Sequence, residues 1–321
     1  MPLKILILLL SLFCLTSSSV FAKTPIRLGV MAGGTLAWEL AALKNLDLPE
    51  KTDFEIETIT LADQQAGKIA LLSGSVDIII SDWIWVSGMR SQGGDYSFYP
   101  YSTAAGGLLV TADSPIQTLA DLEGKKLGIA GGELDKNWLM LQTLGLKQNL
   151  DFNKPQNIVY AAPPLLNQQL AEQRIDALLT YWQFAARLQA QGYRELLSGE
   201  QIIRELGITE AVPSLGYAFR AVWAEEHKAA LLSFFKAADT ARESLCSNEQ
   251  AWDSIKPLTQ AEAAEVQQHL RKRYCEGRIT AWGEANRKAA DQLYQLLHQL
   301  HNNKLTAKNP HLEDGTFWQA N

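Results

Sequence analysis

Ser75-Val76-Asp77-Ile78-Ile79-Ile80-Ser81-Asp82-Trp83 decides the fold, because the chain repeats itself 99 positions later as Arg174-Ile175-Asp176-Ala177-Leu178-Leu179-Thr180-Tyr181-Trp182. The same offset holds upstream. Arg27-Leu28-Gly29-Val30-Met31-Ala32-Gly33 returns as Lys126-Leu127-Gly128-Ile129-Ala130-Gly131-Gly132. Two matches in one register imply two similar α/β lobes. A pair of like lobes leaves a cleft between them, and clefts are where ligands bind.

The stretch between the repeats reads as alternating strands and helices. A strand over 26–31 ends at Gly33-Gly34, and a helix follows over 35–45 with Thr35 as its cap and Leu36, Leu40 and Leu43 at helical spacing. Residues 54–60 alternate polar and apolar as a half-buried strand does. A helix over 66–72 stops at Gly74, and Ile78-Ile79-Ile80 is a short all-apolar strand of the kind that is buried on both faces. This β-α-β-α-β order predicts a mainly parallel sheet with right-handed crossovers. Two more strands are expected near 96–101 and 107–111. The pattern then restarts with strands at 127–130, 158–160 and 175–180 and helices at 135–144 and 164–173. Residues 214–220 read as a strand, and the chain beyond Ala224 reads as amphipathic helix broken at Pro257 and Gly277.

The expected division is a first lobe over 23–105, a second over 106–210, and a return to the first over 211–321 that carries a helical extension. Two hinge crossings would join the lobes, near 102–107 and 211–216.

The chain opens with Lys4, an apolar run over 5–15 and a small-x-small site at Val20-Phe21-Ala22. That pattern reads as a secretory signal peptide over 1–22, cleaved after Ala22, and its apolar core is too short to span a bilayer. The periplasm is the expected location. Cys14 follows bulky Phe13 inside the apolar core, which is wrong for a lipid-attached cysteine. The formal charge is −6, and removal of Lys4 with the leader leaves −7. No basic tract points to nucleic acid. Cys246 and Cys275 remain in the mature chain, where an exported compartment permits a disulfide. A bridge and two buried thiols both fit the sequence.

The sequence resembles the periplasmic solute-binding proteins of ABC importers, in the nitrate/sulfonate/taurine group. Leu71-Leu72-Ser73-Gly74-Ser75-Val76-Asp77 is similar to the family's helix-to-strand junction. Leu119-Ala120-Asp121-Leu122-Glu123-Gly124-Lys125-Lys126-Leu127-Gly128, with Ala112 to Ile116 before it, is similar to its entry into the second lobe. The resemblance implies the type II periplasmic binding protein fold, a monomer, a small-molecule ligand, and an ABC permease of the inner membrane as partner. It implies no cofactor, no metal and no catalysis. The alternatives are an exported sensor partner that binds a solute for a receptor and an enzyme on the same fold; enzyme relatives that make pyrimidine precursors carry a cysteine cluster, which this sequence lacks.

In open parallel sheets ligands sit beyond the carboxyl ends of the strands. Those ends place Gly33, Gly34 and Thr35 on one side and Gly131, Gly132 and Glu133 on the other, each set opening a helix whose free N–H groups face the cleft. Trp38 and Trp138 follow one turn in. The other strand ends carry Asp82 and Trp83, and Tyr181 and Trp182. Trp83 and Trp182, at the repeated position, are expected to face each other and clamp a planar, apolar or cationic group. Asp82 serves either a ligand or its own helix as a cap. Ser102, Thr103 and Tyr217 at the crossings are further candidate donors. The strand-end motifs hold no Arg or Lys, which points to an aromatic, apolar or cationic organic ligand, whereas the resemblance points to an oxyanion such as a sulfonate. The five histidines all fall in the C-terminal helical part, away from the expected cleft.

Overall fold

The computed structural model describes residues 23–31, 33–46, 52–152, 154–300 and 308–319. The expected signal peptide and His301 lie outside the described residues. Among the described residues ten strands form two five-stranded sheets. The first sheet runs in the order β2 (Phe54–Leu61), β1 (Thr24–Met31), β3 (Ile78–Ser81), β10 (Leu215–Arg220), β4 (Tyr96–Ser102). The second runs β7 (Ile158–Ala161), β6 (Leu127–Ala130), β8 (Ala177–Thr180), β5 (Gly107–Val110), β9 (Arg194–Ser198). Within each sheet the first three strands are parallel. The fourth is antiparallel to both of its neighbours. That fourth strand is in each case the one that has just crossed from the other lobe. The mainly parallel expectation therefore holds with one reversed strand per sheet, and the reversal marks the crossing.

The repeat is structural. Helix α2 (Gln64–Leu72) and helix α5 (Pro163–Ala171) are the same 99 positions apart at both ends. The Asp77 amide donates to the Arg27 carbonyl at 2.8 Å, and the Asp176 amide to the Lys126 carbonyl at 2.7 Å. Their carboxylates reciprocate, accepting from the Arg27 amide at 2.8 Å and the Lys126 amide at 2.7 Å. These aspartates pin each central strand to the start of its neighbour, a structural role set by the backbone donors they face.

The other helices are α1 (Leu36–Asn45), α3 (Trp83–Arg90), α4 (Lys136–Lys147), α6 (Trp182–Ala190), α7 (Gly199–Glu205), α8 (Ala221–Glu226), α9 (Lys228–Ser247), α10 (Glu249–Ile255), α11 (Ala264–Glu276) and α12 (Glu284–Leu300). Strand β9 and helix α7 were not foreseen. The half-buried β9 lacks a clean alternation, and α7 owes its start to a capping box between Ser198 and Gln201. The stretch past Ala224 is not wholly helical either. Phe317 bridges Phe98 in parallel, so residues 314–318 lie along β4.

The two largest apolar cores both draw on both lobes. One joins Trp83, Ile84 and Phe98 to Trp138, Leu139 and Ile129 through Tyr294 and Leu297 of α12. The other packs Trp182 and Ala186 of the second lobe among Trp38, Phe234, Trp252 and Tyr274 of the first. A smaller cluster around Leu166, Leu170 and Leu178 covers the outer face of the second sheet. Cys246 and Cys275 form a disulfide, which settles that open alternative and ties α9 to α11.

Candidate functional site

The seam between the lobes is built from the strand ends the repeat singled out. Gly33 and Gly131 stand at matching ends with φ of +74° and +92°. At Gly131 the reason is spatial too, because a Cβ there would lie 2.6 Å from Asp135 Oδ2 and 2.7 Å from the Tyr181 hydroxyl. That close approach brings the start of α4 beside the start of α6. Asp135 caps α4, accepting from the Asn137 and Trp138 amides at 2.9 and 3.2 Å. Burial pushes its carboxyl up to about 6, against the pull of those donors and of Lys136. The same burial, with Asp135 alongside, pushes the Tyr181 hydroxyl up to about 12.

Lys136 reaches back across the seam to donate to the Ser214 carbonyl of the second crossing. Burial lowers its pKa, while the charges of Asp82 and Asp135 favour its protonated form. Asp82 caps α3 through the Trp85 amide at 2.8 Å, so its capping role is realised. Other bonds also lock the lobes. Arg273 of α11 pairs with Glu195 of β9 at 2.9 Å with both side chains largely buried. Arg187 of α6 donates to the Thr259 carbonyl at 2.6 Å.

Beside this polar strip lies a small pocket lined by Thr35, Glu39, Tyr101, Ser102, Trp182 and Arg242 together with Tyr274, Gly277 and Arg278. Its floor is a closed polar network. Glu39, fully buried, accepts from the Tyr101 hydroxyl at 2.5 Å and the Tyr274 hydroxyl at 2.8 Å, and Arg242 stands 3.4 Å away. Arg242 also donates to the Tyr217 hydroxyl at 3.2 Å. Burial raises the Glu39 pKa against the pull of Arg242 and the phenols. A buried ion pair survives only when its remaining hydrogen-bonding capacity is met, and here the three tyrosines meet it. Arg278 at the rim is engaged outward by Glu243 and Asp239.

The expected site residues divide. Thr35 sits at its cap position, yet its side chain makes no cap bond and lines the pocket instead. Trp38 is buried at the seam, donates to the Leu258 carbonyl at 3.2 Å, and meets Trp182 edge-on at 6.0 Å. Trp182 also stands 6.3 Å from Tyr274. Ser102 lines the pocket, and it and Thr103 donate to the Gly277 carbonyl at 3.1 and 3.3 Å. Tyr217 belongs to the buried network. Gly34 closes the turn by donating to the Met31 carbonyl at 2.9 Å, while Gly33 and Glu133 are exposed and Gly132, with φ of +90°, continues the glycine turn.

Two expectations are corrected. Trp83 does not face Trp182. It is fully buried, donates to the Pro213 carbonyl at 2.7 Å, and packs on Tyr294 and Phe317 at 6.4 and 6.2 Å. Trp138 likewise is a fully buried core residue, not a cleft wall. The strand-end motifs lack basic residues as read, but the fold brings Arg242 and Arg278 to the pocket from the C-terminal helices. Glu39, Tyr101, Arg242, Tyr274 and Arg278 were missed. Glu39 and Arg242 left a signal: each interrupts an apolar helical stripe, with Leu36 and Leu43 around the one and Phe235, Ala238 and Leu245 around the other.

Residues 97–251 match the family model described as NMT1/THI5 like. No curated protein matches the sequence. Among solved structures, the periplasmic aliphatic sulphonate binding protein SsuA from Escherichia coli is 19% identical, with a TM-score of 0.72 over 93% of each chain. The alkanesulfonate-binding protein SsuA from Xanthomonas axonopodis pv. citri, bound to MOPS, is also 19% identical, with a TM-score of 0.68 over 92% of this chain and 99% of that one. The ligand-binding component of an ABC-type import system from Staphylococcus aureus is 14% identical, with a TM-score of 0.66 over 93% and 99%. Two lobes with reversed crossing strands, a seam at the strand ends and these likenesses agree: the chain has the two-lobed fold of the periplasmic binding proteins of ABC importers and carries an NMT1/THI5-like domain over 97–251.

Proposed function

We propose that this chain is an exported periplasmic protein that captures a small organic solute between its lobes and delivers it to an ABC permease in the inner membrane, acting as a monomer and not as an enzyme. The observation that carries the reading is the packing of Trp182 from the second lobe against both Trp38 and Tyr274 of the first, beside a pocket to which both lobes contribute. A ligand that makes contacts only with both lobes together stabilises the closed form by that difference, and the closed form is what a permease can recognise.

The relatives named for sulfonates do not transfer their ligand to this pocket. Arg242 is spent on Glu39 and Tyr217, and Arg278 on Glu243 and Asp239. The test is a thermal-shift and tryptophan-fluorescence screen of sulfonates, amines, amides and heteroaromatic compounds on the mature protein. Saturable binding of one compound class supports the reading. Failure of every class to bind refutes it. The mass of the exported protein should place its first residue at Lys23.

A further inference from the structure

Three polar side chains at the seam have no hydrogen-bond partner among the described residues: Ser81 Oγ, Asn137 Oδ1 and Thr180 Oγ1. Their residues are 6%, 7% and 2% exposed, so water does not reach them from outside. A buried polar atom left unmatched costs free energy of the order of a lost hydrogen bond, and each such atom in a folded protein calls for an explanation.

Their placement is coherent. Ser81 ends β3 and Thr180 ends β8, the repeated central strands of the two sheets, and Asn137 opens α4. All three stand round the two crossings. Thr180 pairs with Gly107 of the first crossing. A Cβ on Gly106 would lie 2.3 Å from the Thr180 carbonyl oxygen and 3.4 Å from Asn137 Nδ2, so both residues close on the same backbone. Ser81 pairs with Gly216 of the second crossing, and Lys136, beside Asn137, donates to Ser214 of that crossing. Glu195 Oε1 is a fourth unmatched acceptor at the first crossing, because a Cβ on Gly107 would lie 2.1 Å from it, while its other oxygen pairs with Arg273. The other unmatched buried atoms are Trp138 Nε1, on a core residue, Asn167 Oδ1, Arg278 Nε and Trp282 Nε1.

The chemistry is also specified. The Asn137 carbonyl oxygen is an acceptor only. The two hydroxyls accept as readily as they donate. The nearby charges are two carboxylates, Asp82 and Asp135, and two ammonium groups, Lys136 and Lys68. Lys136 donates to the Ser214 carbonyl and Lys68 lies over the Trp85 ring, 5.3 Å from its centroid, so each cation is already engaged. Resting on the solute-binding reading above, we infer that Ser81, Asn137 and Thr180 form the specificity-determining subsite of the cleft, and that it takes an uncharged head group rich in N–H or O–H donors, such as a carboxamide, a urea or a vicinal diol. The aromatic group of Trp38, Trp182 and Tyr274 flanks the rest of the molecule.

The test uses the mature protein with benzamide, N-methylurea and glycerol as donor-bearing probes and methanesulfonate as the oxyanion, followed by thermal shift and tryptophan fluorescence. At least one donor-bearing probe should bind more tightly than methanesulfonate. Thr180→Val and Ser81→Ala should each weaken that binding by about tenfold, as the loss of a hydrogen bond does. Both should melt without ligand no lower than wild type, because each removes an unmatched hydroxyl. A structural role for these hydroxyls would lower the melting temperature instead. Tighter binding of methanesulfonate, binding that changes less than twofold in both variants, or a crystal structure in which only ordered waters meet the three atoms and no donor probe displaces them overturns the inference. Those results would leave solute capture standing. Failure of all compound classes would remove both.

Discussion

Trp182→Ala should open the molecule. In the described structure the Trp182 ring meets Trp38 at 6.0 Å, nearly perpendicular, and Tyr274 at 6.3 Å. Both partners belong to the other lobe, so both contacts exist only while the lobes are closed. Each aromatic pair contributes about 0.5–1.5 kcal/mol beyond simple burial, so the two together favour closure by about 1–3 kcal/mol. That range is roughly a 5- to 150-fold change in the closed-to-open ratio. It is a floor, because Trp182 also buries area that a cleft opening would wet, at about 25 cal/mol per Å². Small-angle scattering of ligand-free wild type and variant measures the effect directly. The wild type should scatter as a closed molecule and the variant should show a larger radius of gyration, with solute affinity lowered by a similar factor. A variant as compact as wild type, or a ligand-free wild type that is already open, would refute the argument that this ring latches the lobes.

The Cys246→Ser/Cys275→Ser double variant releases a loop of 29 residues in sequence separation. Loop-closure entropy puts the loss at about 3.5 kcal/mol. For a folded unit of about 300 residues that lowers the melting temperature by roughly 6 °C, which calorimetry reads. Because Arg242 lies one turn before Cys246 and Tyr274 adjoins Cys275, solute affinity should fall as well, and an unchanged melting point would show that α9 and α11 are held by packing alone. Asp135→Asn tests the buried cap. The Asp135 pKa is raised from 3.8 to about 6, so the folded state keeps a proton that the unfolded chain gives up. The stability this confers is present below about pH 4 and is lost as pH rises through about 6, at most about 3 kcal/mol. Urea unfolding at pH 4 and pH 7.5 should show the variant gaining on wild type at the higher pH, since asparagine caps as well as aspartate. An equal difference at both values contradicts the assignment.

Much of the fold was legible because the same backbone problem is solved twice. A strand that must be pinned to its neighbour needs an aspartate at its start, and both copies supply one, Asp77 and Asp176. Capping at Asp82 was one of two readings the sequence allowed, whereas Asp135 read as the first residue of its helix and proves to be its cap. Side-chain fate was not. Trp83 and Trp182 occupy matching positions, yet one is core and the other latches the cleft. The repeat fixes where a residue stands on its own lobe, while its cover comes from residues 221–318, which exist in one copy only. Helix α12 and Phe317 close over Trp83, whereas α11 brings Tyr274 to Trp182. The basic side chains at the pocket were invisible at the strand ends for that reason too. A charged residue breaking an apolar stripe, as Glu39 and Arg242 do, was the trace they left.

The bridge between Phe98 and Phe317 orders events in time. Trp318 packs against Phe219 and Phe235, and Ser97 donates to the Gly315 carbonyl at 2.7 Å. The second sheet is contiguous over 107–198, so it can close as soon as that stretch is available. The first sheet must wait for β10, and its edge for residues 315–318, which are more than 200 positions away along the chain. Contacts of such long separation form slowly, because loop entropy has to be overcome before they contribute. A chain with this wiring keeps half of itself unfinished until nearly all of it has been delivered. On the export reading proposed above, that delay is an advantage, because such a chain is threaded through a membrane before it folds.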